Sequence, residues 1–134
     1  MKYVCLGYLE PGHFESMSEI ERDALFDQCF SYNDKLRRSG HLVGEELLQA
    51  ADTAVTVDWK NGMVELTDGP HAETKEQLRG IQVLEARDLN HAIQLISQGP
   101  GLRLGCGLIE IRPVADWSEI RKASDQRRCQ NTAR

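Results

Sequence analysis

The sequence lacks the long apolar stretch that a membrane-spanning helix requires, which is about 20 residues. Its apolar runs are broken by glycine or by charge after a few residues. The run over residues 1–7 carries one basic residue and is too short for a signal peptide. We therefore expect a cytoplasmic protein with no membrane partner.

Paired cysteines and clustered histidines are also missing. The chain has four cysteines, Cys5, Cys29, Cys106 and Cys129, and none of them forms a C-x-x-C pair. Cys5 and Cys106 lie in apolar runs and are predicted to be small buried residues, and reduced cytoplasmic thiols predict no disulfide. The four histidines lack i, i+4 pairing, so we predict no metal. A metal could bind only if the fold brought side chains such as His13, His41 and His71 together.

Positive charge is scarce in the body of the chain. Residues 1–114 carry 11 Lys/Arg against 18 Asp/Glu, whereas residues 115–134 carry 5 against 3. An acidic body disfavours nucleic acid as a partner, because phosphate binding depends on Lys and Arg. We interpret residues 1–114 as one domain and residues 115–134 as a loosely ordered C-terminal tail.

The hydrophobic pattern predicts six strands and two main helices. A strand over 2–9 precedes a helix that begins at Ser18, with Ser16 as the competing cap, and ends at Gly40. Asn61 and Gly62 predict a tight hairpin. The remaining expectations are strands at 41–48, 53–59, 63–67, 80–86 and 107–112, one helical turn within 71–79, and a helix capped by Asp88.

This order predicts an α+β fold of the ferredoxin-like, split βαβ type. The hairpin is either an insert or an extension of the second strand. Both helices would cover the same face of an antiparallel sheet, which leaves the other face without a helix. A second copy of the chain is the simplest cover for that face, so we predict a homodimer.

A long polar motif carries a family resemblance. Residues 67–78 read T-D-G-P-H-A-E-T-K-E-Q-L, which resembles the D-G-P-F-A-E-T-K-E-Q-L motif of the DGPF branch of the YCII-like family. The stretches L-E-A-R-D-L at 84–89 and E-I-R-P at 110–113 are similar to that family as well, and the resemblance covers about residues 2–114.

The resemblance implies a dimeric α+β barrel, in which two chains pack sheet to sheet, in bacterial cytoplasmic proteins of mostly unknown role. It implies that some relatives are enzymes with a His–Asp pair in a cleft, one of them acting on a chlorinated hydroxyquinol-type aromatic. Other relatives are encoded beside alternative sigma factors. The chain departs from the pattern at two positions: Cys29 replaces the first-helix histidine, and His71 replaces the phenylalanine of D-G-P-F.

Three residues are the predicted catalytic candidates. Asp68 ends a strand beside a stiff Gly-Pro turn, where its carboxylate could orient a histidine or accept a proton; its alternative role is to close the turn. His71 could be a general base near neutral pH, or a solvent-facing loop residue. Cys29 would line the cleft, or else be a core thiol.

Two further residues are predicted to bind a ligand. Arg79 could hold an anion, with a surface ion pair as the alternative, and His41 opens the second strand. The leading hypothesis is an enzyme, or a vestigial one, that uses acid–base chemistry on a small substrate such as an aromatic molecule and needs no cofactor. The rival is a non-catalytic ligand sensor or partner protein linked to transcriptional regulation.

Overall fold

The computed structural model describes residues 1–104 and 107–132, so the prediction for Cys106 lies outside the described residues. Within these residues the chain forms six strands, four helices and a 3₁₀ turn at Ala51–Thr53. These are β1 Lys2–Leu9, α1 Glu19–Arg38, β2 Leu42–Leu47, β3 Val55–Lys60, β4 Met63–Asp68, β5 Gln77–Glu85, α2 Leu89–Ser97, α3 Pro100–Arg103, β6 Leu108–Pro113 and α4 Ser118–Thr132.

The main sheet confirms the ferredoxin-like prediction. Its four strands run in the order β2-β5-β1-β6, and every neighbouring pair is antiparallel. The two halves are β1-α1-β2 and β5-α2-β6, so β1 and β5 form the centre of the sheet. Both central strands place their side chains alternately on the two faces.

Side-chain caps begin the two longer helices of the domain. The Ser18 hydroxyl accepts a hydrogen bond from the backbone N–H of Glu21 at 3.1 Å, which decides between the two competing caps in favour of Ser18. Helix α1 ends before Gly40, whose φ of 82° is the left-handed conformation that glycine adopts easily. Asp88 accepts from the N–H of His91 at 2.8 Å and so begins α2.

The core lies on one face of the sheet. Tyr3, Cys5 and Leu84 point toward the helices and are at most 2% exposed. They meet buried side chains of α1 and α2, which are Leu36, Ala92 and Ile96. The alternate positions form an opposite face that is also apolar but only half-buried, and we call Val4, Leu6, Tyr8 and Val83 the open sheet face.

Strands β3 and β4 form a separate two-stranded ribbon. Asn61 and Gly62 connect them with φ values of 53° and 75°, the pair of positive angles that a two-residue hairpin turn needs. The ribbon belongs to a second sheet, so the hairpin is an insert between β2 and β5 and not an extension of β2.

One local prediction is wrong. No helical turn forms within 71–79; the segment is irregular, and β5 begins at Gln77. The Gln77 amide donates to the carbonyls of Ala72 and Thr74, which holds these residues in a loop.

The C-terminal segment is a helix where the sequence predicts a loosely ordered tail. Asp125 pairs with Arg121 and Arg128, one turn away on either side, and such pairs support an exposed helix. Its side chains are exposed apart from half-buried Ala123 and Ser124. Within the described residues, no helix is both long and apolar enough to cross a membrane.

Candidate functional site

A cavity of about 330 Å³ lies between α1 and the helix-facing side of the sheet. Its floor is bare backbone, because Gly7 of β1 pairs directly with Gly80 of β5. A Cβ atom added at Gly7 would come no closer than 3.7 Å to any neighbouring atom, the Gly80 carbonyl oxygen. Since protein interiors are otherwise closely packed, paired glycines at this position leave usable space.

Aromatic rings form one wall of the cavity. Phe14 lies in the loop after β1, and its ring centroid is 5.1 Å from that of Phe26 on α1. Phe26 stacks in turn on Phe30 at 6.0 Å. Helical spacing places Phe26 and Phe30 on the same face of α1 with their rings only 18° from parallel, so this wall is apolar.

Arg79 supplies a positive charge at the mouth of the cavity. A register shift in the pairing of β1 with β5 leaves Arg79 as an extra residue between Leu78 and Gly80. Its Nε donates to the Leu48 carbonyl at 2.8 Å, and its guanidinium carbon lies 5.3 Å from the centroid of the Phe14 ring. Only 17% of the Arg79 side chain is exposed.

Glu15 is the acidic partner of Arg79. Its carboxylate lies 3.4 Å from a terminal guanidinium nitrogen, and 57% of its side chain is exposed. A backbone hydrogen bond at Glu15, followed by the charge of Arg79, lowers the pKa of this carboxyl. Because an exposed ion pair contributes little, an incoming anion can compete with Glu15 for Arg79.

A chain of hydrogen-bonded polar side chains lies at the other end of the cavity. Arg37 donates to Glu45 at 2.5 Å, and the Asn33 amide donates to the same carboxylate at 2.9 Å. The Gln82 amide then donates to the Asn33 oxygen at 3.3 Å. This chain of bonds fixes the orientation of Gln82, which reaches the cavity from β5.

Two cysteines line the cavity. Cys29 is half-buried on α1, beside Gly101. Burial raises the pKa of the Cys5 thiol to about 11, so Cys5 is protonated at neutral pH and serves as apolar lining rather than as a nucleophile.

A second groove, of about 730 Å³, contains Asp68. Asp68 ends β4, and Gly69, Pro70 and Arg79 line the same groove. The turn after β4 is held by the Gly69 N–H, which donates to Ala54 at 2.7 Å, and by the Thr56 hydroxyl, which donates to Gly69 at 2.9 Å. Among the hydrogen bonds of the described residues, none closes this turn through the Asp68 carboxylate. Arg79 therefore connects the groove of Asp68 with the cavity of Cys29.

The structure does not bring the two predicted histidines into either space. His71 is exposed in the loop after β4 and lines neither the groove nor the cavity. His41 lies beside the far end of β5, where its Nδ1 is 2.9 Å from the Glu85 carbonyl and its ring lies 4.9 Å from that of His91. Across residues 1–104 and 107–132, no three His, Cys, Asp or Glu side chains come together as metal ligands.

Several lining residues were not predicted from the sequence, among them Phe14, Asn33, Glu45 and Gln82. Asn33 gave a usable signal, because it is a polar residue four positions after Cys29 on the apolar stripe of α1. The others gave none, since their role depends on how β2, β5 and the loop after β1 meet.

Comparison with known proteins adds three findings. A family model described as the YCII-related domain matches residues 1–118. An uncharacterized protein of Rhizobium meliloti (strain 1021) is 27% identical over 115 residues, which cover 86% of this chain and 93% of that protein. Among solved structures, 5-chloro-2-hydroxyhydroquinone dehydrochlorinase (TftG) from Burkholderia phenoliruptrix AC1100, in complex with 2,5-dihydroxybenzoquinone, has a TM-score of 0.53 at 11% identity, covering 86% of this chain and 94% of that one. The low identity means that this likeness concerns the fold alone.

Proposed function

The chain belongs to the YCII-related family, and from that premise we propose that it is an enzyme acting by acid–base chemistry on a small molecule with a flat apolar body. The proposal rests on one observation: Arg79 lines both the apolar cavity and the groove that contains Asp68. An apolar cavity with one largely buried cation at its mouth is suited to a small ligand that has one anionic group.

Each lining group has a role in this proposal. The flat body of the substrate lies on the Gly7–Gly80 floor against Phe14 and Phe26, and its anionic group binds Arg79. Asp68, which is exposed in the adjoining groove that Arg79 also lines, accepts or returns the proton. His71 lines neither the cavity nor the groove, so this proposal gives the role of base to Asp68, and Cys29 contributes to the wall.

The solved neighbour supports the substrate class. The dehydrochlorinase is named for 5-chloro-2-hydroxyhydroquinone, and its structure contains 2,5-dihydroxybenzoquinone. A single ring of that size is compatible with a cavity of about 330 Å³. The proposed reaction uses no cofactor. Its only chemical step on the protein is proton transfer between Asp68 and the substrate.

The functional unit in this proposal is a cytoplasmic homodimer. The open sheet face is apolar and half-buried, and a second copy would cover it. Packing of sheet on sheet would leave both helices, and therefore both cavities, on the outside of the dimer.

Ligand binding tests the proposal directly. The measurements are native mass spectrometry of the purified protein, for any molecule that co-purifies, and calorimetry with 2,5-dihydroxybenzoquinone as the first probe. Arg79→Gln should weaken binding at least tenfold, because it removes a charged hydrogen bond from a largely buried position. Arg38→Gln, at the exposed end of α1, is the control and should change binding less than twofold. A wild-type protein that carries no small molecule and binds no probe would refute the proposal.

A non-catalytic sensor or partner protein is the second candidate, favoured by the exposed apolar side chains of the β3–β4 ribbon. Measuring turnover of a bound compound distinguishes the enzyme from the sensor. If the chain is an enzyme, Asp68→Asn should reduce turnover of the bound compound at least 100-fold while changing its binding less than threefold. Tight binding with no turnover by the wild-type protein would identify a sensor.

A further inference from the structure

Gln82 places a polar amide on the core side of the main sheet. It lies opposite Cys5 of β1, and directly opposed residues of an antiparallel pair share one face of the sheet. Its neighbours on that face of β5 are Leu84, which is fully buried, and Gly80, which leaves the cavity floor bare. Because an amide without hydrogen bonds is costly to bury, the partners of Gln82 decide what it can do there.

Glu45 sets the direction of the hydrogen bonds around Gln82. A carboxylate that is paired with Arg37 can only accept, so the Asn33 side chain must turn its amino group toward Glu45. The Asn33 oxygen then faces Gln82, whose amino group donates to it at 3.3 Å. Turning either amide over would bring two acceptor oxygens together, so the carboxylate fixes the orientation of both amides.

The side-chain oxygen of Gln82 is thereby left as an acceptor. Among the hydrogen bonds that join residues 1–104 and 107–132 to one another, none is donated to this oxygen. Gln82 is half-buried and lines the cavity, so a ligand in the cavity is within reach of it. A purely structural residue would need only the bond to Asn33, which already ties β5 to α1.

We propose that Gln82 determines specificity by accepting a hydrogen bond from the ligand, and that the ligand is a single aromatic ring with an anionic group at one end and a hydroxyl group at the other. This inference rests on the proposed function, in which Arg79 binds the anionic end. A ring with a methyl group or a halogen in place of the hydroxyl would leave the Gln82 oxygen buried without a donor, and would bind more weakly for that reason.

The positions of Arg79 and Gln82 suit a ligand of this length. The two residues are three positions apart on β5, which is about 10 Å by the rise of a strand. A ring with two para substituents, and a hydrogen bond of about 3 Å at each end, spans a similar distance. Gly80 lies between them and leaves the space for the ring.

Three probes test the inference on the wild-type protein by calorimetry: benzoate, 4-hydroxybenzoate and 4-aminobenzoate. The hydroxyl should make 4-hydroxybenzoate bind roughly fivefold more tightly than benzoate, the size expected for one neutral hydrogen bond. 4-Aminobenzoate also presents a donor and should bind within about threefold of 4-hydroxybenzoate. Equal affinities for benzoate and 4-hydroxybenzoate would overturn the inference, and so would a 4-hydroxybenzoate that does not bind.

A pair of glutamine substitutions assigns the preference to its residue. Gln82→Met keeps the length of the side chain and removes the amide, so the two affinities should come within about twofold of each other. Gln94→Met, at an exposed position on α2, is the matched control and should keep the wild-type preference. Circular dichroism checks that both variants fold. A folded Gln82→Met protein that still prefers 4-hydroxybenzoate would overturn the inference.

Arg79→Gln separates this inference from the proposed function. It should weaken the binding of all three probes by a similar factor, because each of them carries the same carboxylate. If Arg79→Gln weakens benzoate binding but the hydroxyl makes no difference to the wild-type protein, the proposed function stands and the role of Gln82 is overturned. If Arg79→Gln leaves the binding of every probe unchanged, the anion site is overturned, and the inference with it.

Discussion

At the scale of single residues, two glycines determine whether the chain has a cavity at all. Gly7 and Gly80 face each other across the central strands, at positions where neighbouring pairs such as Cys5 and Gln82 carry side chains. Glycine weakens a strand and packs nothing, so its pairing here is explained by the space it leaves for a ligand.

A side chain at Gly7 should therefore remove binding without harming the fold. Gly7→Val would fill the floor, and its Cβ would meet the Gly80 oxygen at 3.7 Å, an ordinary contact distance. We expect ligand affinity to fall at least tenfold while the free energy of unfolding stays the same or rises by about 0.5–1 kcal/mol. Gly7→Ala should give a smaller loss of affinity. Calorimetry and urea unfolding make the two measurements, and a destabilised variant that still binds would contradict this view of the floor.

Arg79 shows why the site was only partly predictable from the sequence. Asp68, Cys29 and Arg79 were selected from a motif, a helix stripe and a charge, and each of them lines one of the two spaces. That Arg79 joins the spaces depends on a shift in strand register at Gly7 and Tyr8, which an alternating pattern does not reveal. The positions of the histidines could not be predicted for a similar reason, because the chemistry of a histidine indicates what His41 could do but not which end of β5 it lies beside.

At the scale of elements, local signals predicted the fold well. Ser18, Gly40, Asp88 and the Asn61–Gly62 turn each act within a few residues, and each has the predicted role. The failures were also local. Residues 71–79 have helix-compatible composition, but the bonds from Gln77 hold them in a loop, and α4 forms where few apolar residues suggest packing.

Helix α4 should contribute little to stability. Its side chains are almost all exposed, and an isolated helix of 15 residues is marginal in water. Deleting residues 122–134 should lower the melting temperature by less than about 2 °C, since little burial is lost. Leu84→Ala, at a fully buried position, is the contrasting variant and should cost about 2–5 kcal/mol. A fall of many degrees on truncation would mean that α4 packs across the dimer.

At the scale of the whole molecule, buried His91 makes stability depend on pH. Burial lowers the pKa of His91, and Arg87 and His41 lower it further against the opposing effect of Asp88. The unfolded chain, with a histidine pKa near 6.5, then binds the proton more readily than the folded one, so stability should fall as pH drops below about 6.5. Above pH 7 this contribution should be flat.

Urea unfolding between pH 7.5 and 5.5 measures this slope. His91→Asn should reduce it, whereas His71→Asn, which replaces an exposed histidine, should leave it unchanged. Equal slopes in wild type and His91→Asn would show that other groups cause the acid sensitivity.

The position of β1 at the centre of the sheet affects the order in which strands pair during synthesis. β1 is synthesised before both of its hydrogen-bonding partners, β5 and β6, which begin at Gln77 and Leu108. At about 5–20 residues per second, β1 is made roughly 4–15 s before β5 has been synthesised. The ribbon, whose two strands are separated by two residues, forms within about 10 μs of its own synthesis. In a growing chain the two strands of the ribbon can therefore pair with each other at once, whereas β1, at the centre of the main sheet, stays unpaired for seconds.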